Sequence, residues 1–175
     1  MTISKVVWLT GLPSSGKTTL ANALYNYLAL KGIPAVTIDG DEFRKSISSD
    51  LGFSLADRSE NVRRAAQMAR IVVNSKVMAI CSFVSPTIAI REQAKSIIGS
   101  DNFLEVHICT PLSVCMQRDS KGLYHKAKTG ILEDFTGVSS PFEDPLNPSI
   151  RIDASEQTVD QMVDLLFEST LKRFL

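Results

Sequence analysis

The sequence predicts a three-layer α/β/α fold, in which helices cover both faces of a five-stranded parallel sheet. Short apolar runs alternate with segments of helical periodicity, which favours parallel strands joined by crossover helices. The apolar runs are continuous rather than interrupted by polar residues, as expected of strands buried on both faces. The 175 residues have an ordinary globular composition, 44% hydrophobic and 22% charged, and fit one domain over residues 1–175.

The strands are assigned to the short apolar runs, the first of which reads Val-Val-Trp-Leu. In chain order, the predicted strands are residues 6–9, 35–38, 77–84, 103–108 and 150–152.

The helices are assigned to apolar residues spaced three or four apart. Gly32 ends the first helix, and Ser54 with Asp57 three residues later resembles a capping box that begins the second. In chain order, the helical segments are marked by Leu20, Leu24, Tyr27 and Leu28; by Val62, Ala65, Ala66, Ala69, Val72 and Val73; by residues 88–98; by residues 112–118; and by Val159, Met162, Val163, Leu166 and Thr170.

Residues 121–148 break this alternation, since they contain three glycines and three prolines and show little periodicity. Long irregular loops in compact domains are usually functional, and many are lids over active sites. We therefore expect a lid over about 121–148.

Composition and charge exclude several classes of function. The formal net charge is zero, which argues against a nucleic-acid-binding surface. No apolar run approaches the ~20 residues of a membrane span, and the N-terminus lacks a signal peptide's apolar segment, so we expect a cytoplasmic protein. The three cysteines, Cys81, Cys109 and Cys115, lack metal-binding spacing and are expected in the core. His107 and His125 are expected to be structural or solvent-facing.

A phosphate-binding motif follows the first strand directly. The segment matches G-x-x-x-x-G-K-[ST], whose glycines let backbone N–H groups turn inward around phosphates. Lys17 is expected to reach the β- and γ-phosphates of ATP, and Thr18 to offer its hydroxyl to Mg²⁺. Pro13 removes one N–H from the early half of the loop, where we expect this to be tolerated. The predicted nucleotide-binding residues are Gly11, Leu12, Pro13, Ser14, Ser15, Gly16, Lys17 and Thr18.

Two carboxylates, Asp39 and Asp41, stand at the end of the second predicted strand. The third strand ends without an acid and the guanine-reading N-K-x-D is absent, which favours a small-molecule kinase over a motor or a switch. Asp41 is the favoured general base and Asp39 the partner on the metal side, although the reverse order and a simple helix cap stay open.

Four further side chains follow within about twenty residues: Arg44, Phe53, Arg58 and Asn61. Two guanidinium groups indicate an anionic substrate, and an aromatic ring indicates a flat group stacked on it. An anionic, aromatic, hydroxyl-bearing acceptor is most simply a nucleotide.

Six blocks along the chain carry a family resemblance. They read WLTGLPSSGKTT, DGDEFR, LGFSLADRSENVRR, SFVSP, EVHICTPLSVCMQRDSKGLYHKA and FTGVSSPFEDP. In this order they resemble the motifs of the adenylylsulfate kinase (APS kinase) family over nearly the whole sequence. The resemblance implies a P-loop kinase fold that uses ATP and Mg²⁺ to phosphorylate the 3′-hydroxyl of adenosine 5′-phosphosulfate, giving PAPS for sulfate assimilation. It also implies a homodimer.

The resemblance also implies roles for individual residues. Arg118 would contact the base or phosphates of ATP, and the family implies a catalytic Ser85 that becomes phosphorylated. In-line transfer needs only positioning and charge stabilisation, which favours a hydrogen-bonding role for this serine. The implied substrate contacts are Asp41, Arg44, Phe53, Arg58, Asn61, Val84, Ser85, Lys121 and Phe135.

The sequence departs from the family pattern at a few positions. Thr87 replaces an aromatic residue, which we expect to loosen the acceptor pocket, and Ile88 stands where a basic residue is frequent. The alternatives are a kinase of the same fold acting on a related nucleotide such as cytidine diphosphoramidate, a gluconate-type sugar kinase, and a non-catalytic nucleotide-binding module.

Overall fold

A computed structural model describes residues 5–172 of the chain. Its five strands form one parallel sheet in the order β2-β3-β1-β4-β5, which confirms the predicted sheet. The strands are β1 (Val6–Thr10), β2 (Ala35–Asp39), β3 (Met78–Ser82), β4 (Phe103–Ile108) and β5 (Ile150–Ile152). The third strand ends earlier than the predicted residue 84, because the chain leaves the sheet and turns at Ser85, whose φ is 44°.

Seven helices surround the sheet in the part of the chain that the structure describes. They are α1 (Lys17–Leu30), α2 (Gly40–Lys45), α3 (Leu55–Asn74), α4 (Ile88–Ile98), α5 (Leu112–Arg118), α6 (Leu123–Lys128) and α7 (Val159–Leu166). A 3₁₀ turn (Ser100–Asn102) precedes β4, and a π-helical turn (Phe167–Leu171) follows α7.

The core has two halves, one on each face of the sheet. Val7 and Leu9 of β1 pack with α1 and α7, whereas Val6 and Trp8 face α3 and α4. Successive side chains of a strand point to opposite faces, so a continuous apolar run fills both halves. This arrangement confirms the three predicted layers.

Two short helices were not assigned from apolar periodicity. The Asp39 carboxylate caps α2 by accepting the N–H of Asp41, so Asp39 is the helix cap rather than Asp41. The helix α6 lies inside the segment expected to be irregular, and the Asp119 carboxylate accepts the N–H of Tyr124 at its start. A third apolar cluster of Cys115, Tyr124, Ala127 and Phe135 packs this region against α5.

Several smaller predictions have clear outcomes. Ser54 caps α3 as predicted, accepting the N–H of Asp57 at 3.1 Å. Cys81 and Cys115 are buried, whereas Cys109 is half-buried because it follows the end of β4. As predicted, one histidine is structural and the other faces solvent: His107 is buried and His125 is exposed. The side chain of Thr170 lies outside what the structure describes. Among residues 5–172, no helix is both long and apolar enough to cross a membrane.

Candidate active site

The phosphate-binding loop lies between the end of β1 and the start of α1. Gly11 has a φ of 151°, and a Cβ there would lie 2.5 Å from the carbonyl oxygen of Ile108, so only glycine fits. Neighbouring hydroxyls hold the loop from outside: Thr110 Oγ1 donates to the Ser15 carbonyl at 2.8 Å, and the Tyr124 hydroxyl donates to the Pro13 carbonyl at 3.0 Å. These bonds fix the carbonyls of the loop and leave its α1 end open to an anion.

Lys17 is buried at the base of this loop. Its ammonium donates to the carbonyl oxygens of Gly11 at 3.0 Å and Leu12 at 2.6 Å, and it lies 3.4 Å from the Ser15 hydroxyl. Burial lowers the pKa of Lys17 to about 8, although the nearby acids Asp39 and Asp41 act in the opposite direction. A desolvated cation of this kind gains from an incoming phosphate.

Three oxygen-bearing side chains meet beside the loop. The Thr18 hydroxyl donates to Asp39 Oδ2 at 2.8 Å and lies 3.4 Å from Ser82 Oγ. Hydroxyl and carboxylate oxygens are the ligands that Mg²⁺ prefers, and Mg²⁺ is usually bound by one or two carboxylates together with substrate phosphates. The chemistry of this group fits the predicted metal-side role of Asp39.

Asp41 lies one residue into α2 and has a different environment. Its carboxylate is exposed and pairs with the ammonium of Lys121, which reaches it from the segment preceding α6. Asp39 accepts the Thr18 hydroxyl and caps α2, whereas the hydrogen-bond partner of the Asp41 carboxylate is the Lys121 ammonium, which comes from outside α2. Asp41 can therefore accept a proton only once Lys121 moves away, which is the condition for its predicted role as base.

The two predicted arginines flank the ring of Phe53. The guanidinium carbons of Arg44 and Arg58 lie 4.7 Å and 5.7 Å from the ring centroid. Arg58 also donates to the Phe53 carbonyl at 2.8 Å and to the Asp134 carbonyl at 3.0 Å. Burial lowers the pKa of both guanidinium groups, and the charge of Arg44 lowers that of Arg58 further. Two partly desolvated cations side by side have the chemistry needed to bind an anion.

Asn61 and Ser85 are two further buried residues of the site. Asn61 is buried, and its side-chain oxygen has no hydrogen-bond partner, which leaves an acceptor for a donor to satisfy. Ser85 is also buried and accepts the Trp8 indole N–H at 3.0 Å. Its hydroxyl is therefore already held as part of a hydrogen-bonded wall.

One cleft of about 640 Å³ joins these groups. Most of the predicted site residues line it: Pro13, Ser14, Gly16, Lys17, Thr18, Asp39, Asp41, Arg44, Arg58, Asn61, Val84, Ser85, Arg118 and Lys121. Gly11, Leu12 and Ser15 stand behind the loop, and Phe53 borders the cleft through its arginines. Phe135 does not line the cleft, because it packs edge-on against Tyr124 at 5.0 Å in the third apolar cluster.

Sequence reasoning missed several residues of the cleft. Ser82 stands in a quoted block without an assigned role, although its place at the end of β3 could have signalled one. Ala154 and Gln157 lie between β5 and α7 and line the cleft beside Arg118, which donates to the Ala154 carbonyl at 2.6 Å. Nothing in their local sequence indicated this position.

Comparison with known proteins gives a consistent result. A family model described as adenylylsulphate kinase matches residues 3–153. An adenylyl-sulfate kinase of Bacteroides thetaiotaomicron is 44% identical over 97% of this chain and 85% of its own length. One of Prochlorococcus marinus is 44% identical over 92% of this chain and 80% of its own. The structure of a Mycobacterium tuberculosis APS kinase in complex with AMPPNP and APS is 37% identical, with a TM-score of 0.91 over 95% of this chain and 96% of that one.

Proposed function

Because the chain belongs to the adenylylsulphate kinase family, we propose that its cleft transfers the γ-phosphate of ATP to the 3′-hydroxyl of adenosine 5′-phosphosulfate. The protein is an ATP-dependent kinase, and the product of this transfer is PAPS, the activated sulfate of sulfate assimilation. The observation that carries the proposal is that one cleft is lined by Lys17 and Thr18 together with Asp41 and the arginine pair.

The side of the cleft formed by the phosphate-binding loop, or P-loop, would hold ATP. Its backbone N–H groups and the start of α1 would bind the phosphates, and Lys17 would meet the β- and γ-phosphates. Arg118, beside Gly16 and Ala154, would lie along the nucleotide. Thr18 and Asp39 would hold Mg²⁺, which when bound neutralises charge on the β- and γ-phosphates.

Asp41 would act on the acceptor. As the 3′-oxygen forms its bond to the γ-phosphorus, the bond from that phosphorus to the bridging oxygen of ADP breaks, and the hydroxyl proton passes to the Asp41 carboxylate. In the ligand-free protein this carboxylate pairs with Lys121. The acceptor hydroxyl therefore has to replace an ammonium, and the freed Lys121 can turn to the anionic part of the substrate.

The arginine pair would bind the phosphosulfate, since guanidinium groups match such anions. Phe53 would stack on the purine, and Asn61 would accept a hydrogen bond from it. Val84 and Ser85 would form the wall behind the acceptor. Phe135 would reach the base only after its side chain leaves the apolar cluster in which it is buried.

We propose that the lid closes over both nucleotides, with Gly122 and Gly130 flanking the moving part. Both glycines have positive φ angles, 64° and 74°. Closure would exclude water, which otherwise could accept the phosphoryl group. Limited proteolysis of residues 121–148 tests this: ATP and acceptor together should slow cleavage, and equal cleavage in all states would argue against a lid.

The acceptor is tested by a purified-enzyme assay with ATP and Mg²⁺. Adenosine 5′-phosphosulfate and cytidine diphosphoramidate are offered separately, and ADP release and the phosphorylated product are measured. We expect product from the first compound alone. Product from the cytidine compound only would refute the proposed acceptor while leaving the kinase chemistry intact.

We further propose a cytoplasmic homodimer. The assembly rests on resemblance to the family, and the location rests on the features of the sequence described above. Sedimentation at micromolar concentration measures the first, and a monomer at that concentration would refute it. Fractionation of cells tests the second.

A further inference from the structure

We propose that Arg91, a residue outside the cleft, is the positioning residue that fixes the acceptor wall formed by residues 84–86. It does so by bonding this wall to the chain around Glu143. The inference rests on the proposed function, because it assigns the wall to acceptor binding.

Arg91 lies on the first turn of α4 and is only 3% exposed. Its guanidinium makes three contacts in three different parts of the chain. Nη1 donates to the Ser85 carbonyl at 2.8 Å, Nη2 donates to the Glu143 carbonyl at 2.6 Å, and Nε lies 3.1 Å from Glu105 Oε1.

The surroundings show a site built for a cation. Burial lowers the pKa of Arg91, and the Glu105 carboxylate on β4 opposes that effect. Burial likewise raises the pKa of Glu105. The ring of Phe142 covers the guanidinium, with its centroid 5.6 Å from the guanidinium carbon. Loss of either Arg91 or Glu105 would leave the other charge buried and unpaired, so Arg91 is hard to replace.

The Ser85 carbonyl needs this support. Ser85 adopts a φ of 44°, a left-handed backbone angle that costs a non-glycine residue energy. Thr10 Oγ1 donates to the preceding carbonyl, that of Val84, at 2.7 Å, and Arg91 holds the next one. Together these two bonds orient the turn that presents Val84 and the Ser85 hydroxyl to the cleft.

Glu143 forms two hydrogen bonds on the other side of the same turn. Its backbone N–H donates to the Pro86 carbonyl at 2.8 Å, and its carboxylate accepts the Ile88 N–H at 2.7 Å. Arg91 and Glu143 thus clamp residues 85–88 between them. The end of the predicted lid is therefore docked on α4, so the moving part lies before Glu143.

The clamp lies on the acceptor side of the cleft, and none of its bonds touches the P-loop. Loss of Arg91 should therefore weaken acceptor binding and leave ATP binding nearly unchanged. A purely structural role would instead lower stability and shift both substrates equally or neither.

The test compares Arg91→Met and Arg91→Lys with Arg70→Met, which alters an exposed arginine on α3. For Arg91→Met we expect a KM for adenosine 5′-phosphosulfate raised about tenfold, with the KM for ATP changed less than about twofold. Arg91→Lys keeps a charge and should recover part of the loss, and Arg70→Met should match the wild type. Equal shifts in both KM values, or none in either, would overturn the inference.

A second measurement keeps the inference separate from the proposed function. Amide hydrogen exchange without substrates should be at least about tenfold faster at Ile88 and Glu143 in Arg91→Met, with the P-loop amides unchanged. Unchanged exchange at both amides overturns the clamp, whereas a wild-type enzyme without activity on the phosphosulfate overturns only the proposed function. If Arg91→Met does not fold, Glu143→Ala removes the bond to Ile88 and should raise the same KM by a smaller factor; no rise would refute the inference.

Discussion

Burial of the Lys17 ammonium destabilises the folded protein, and we expect bound nucleotide to offset this. The substitution Lys17→Met measures the destabilisation, because it removes the charge. The residue is buried at the base of the loop with three uncharged oxygen partners. Methionine keeps the length of the side chain and removes the charge. The ligand-free variant should therefore respond differently to pH from the wild-type protein.

The magnitude follows from the pKa. Burial lowers the pKa of Lys17 from 10.5 to about 8. Each pKa unit is worth about 1.36 kcal/mol, so the protonated side chain costs the folded state roughly 3 kcal/mol. Below pH 8 Lys17 is protonated in both the folded and the unfolded state, so the whole destabilisation is present. Between pH 8 and 10.5 the folded protein releases the proton and the unfolded chain retains it, so wild-type stability rises relative to the variant.

The assay is urea unfolding of both proteins without nucleotide at a series of pH values. Between pH 7 and pH 10 the wild type should gain roughly 2.5 kcal/mol relative to Lys17→Met. Loss of the hydrogen bonds to Gly11 and Leu12 adds an offset of about 1 kcal/mol each that does not depend on pH, so the slope is the readout. Lys128→Met, which replaces an exposed lysine on α6, is the matched control for the loss of one lysine charge. A difference between wild type and Lys17→Met that stays constant over this range would refute the reasoning.

Three further predictions concern the base, the loop and the sheet. Asp41→Asn should lower kcat by about 10²–10⁴ and leave ATP affinity nearly intact, because it removes the proton acceptor and the ion pair with Lys121 but leaves the phosphate-binding loop unchanged; the neighbouring Glu42→Gln is the control, and a normal kcat in steady-state kinetics would exclude Asp41 as base. Gly11→Ala should destabilise the protein by more than about 2 kcal/mol, since its Cβ would meet the Ile108 carbonyl at 2.5 Å. Gly32→Ala, with φ 69° and open space, should lower Tm less, and equal changes in Tm would contradict this account. Burial lowers the pKa of His107 to about 4, so the unfolded chain gains its proton first as pH falls from 6.5. The wild type should then lose roughly 3 kcal/mol more than His107→Gln on acidification from pH 7 to pH 4, and parallel unfolding curves would contradict that.

The elements that the sequence predicts best are those with a clear apolar pattern. The elements β4, β5 and α4 begin and end at the predicted residues, and β1 and β2 each extend one residue further. The helices α2 and α6 were not assigned because each has only six residues, which is too short to show helical periodicity. Their starts depend on single carboxylates, Asp39 and Asp119, that accept backbone N–H groups.

For the site too, the sequence predicts features whose residues are contiguous and misses contacts between distant residues. The P-loop and the pair of acids are visible because each is contiguous in sequence and follows a strand. The bond from Arg91 to Glu143 spans 52 residues, and that from Arg58 to Asp134 spans 76. No spacing rule connects residues so far apart, so these contacts need the folded chain.

The position of Thr87 illustrates how a departure from a family pattern acquires its meaning from the fold. An aromatic residue is common there, and its absence was expected to loosen the acceptor pocket. In the structure the Thr87 hydroxyl accepts the Ile90 N–H at 3.3 Å and caps α4, while the next N–H, that of Ile88, is held by Glu143. Thr87 is not among the described residues that line the cleft. Since such a cap is worth about 1 kcal/mol, this threonine stabilises the helix that carries Arg91. Thr87 itself therefore acts on the acceptor wall through this helix, and the looser acceptor pocket stays a prediction.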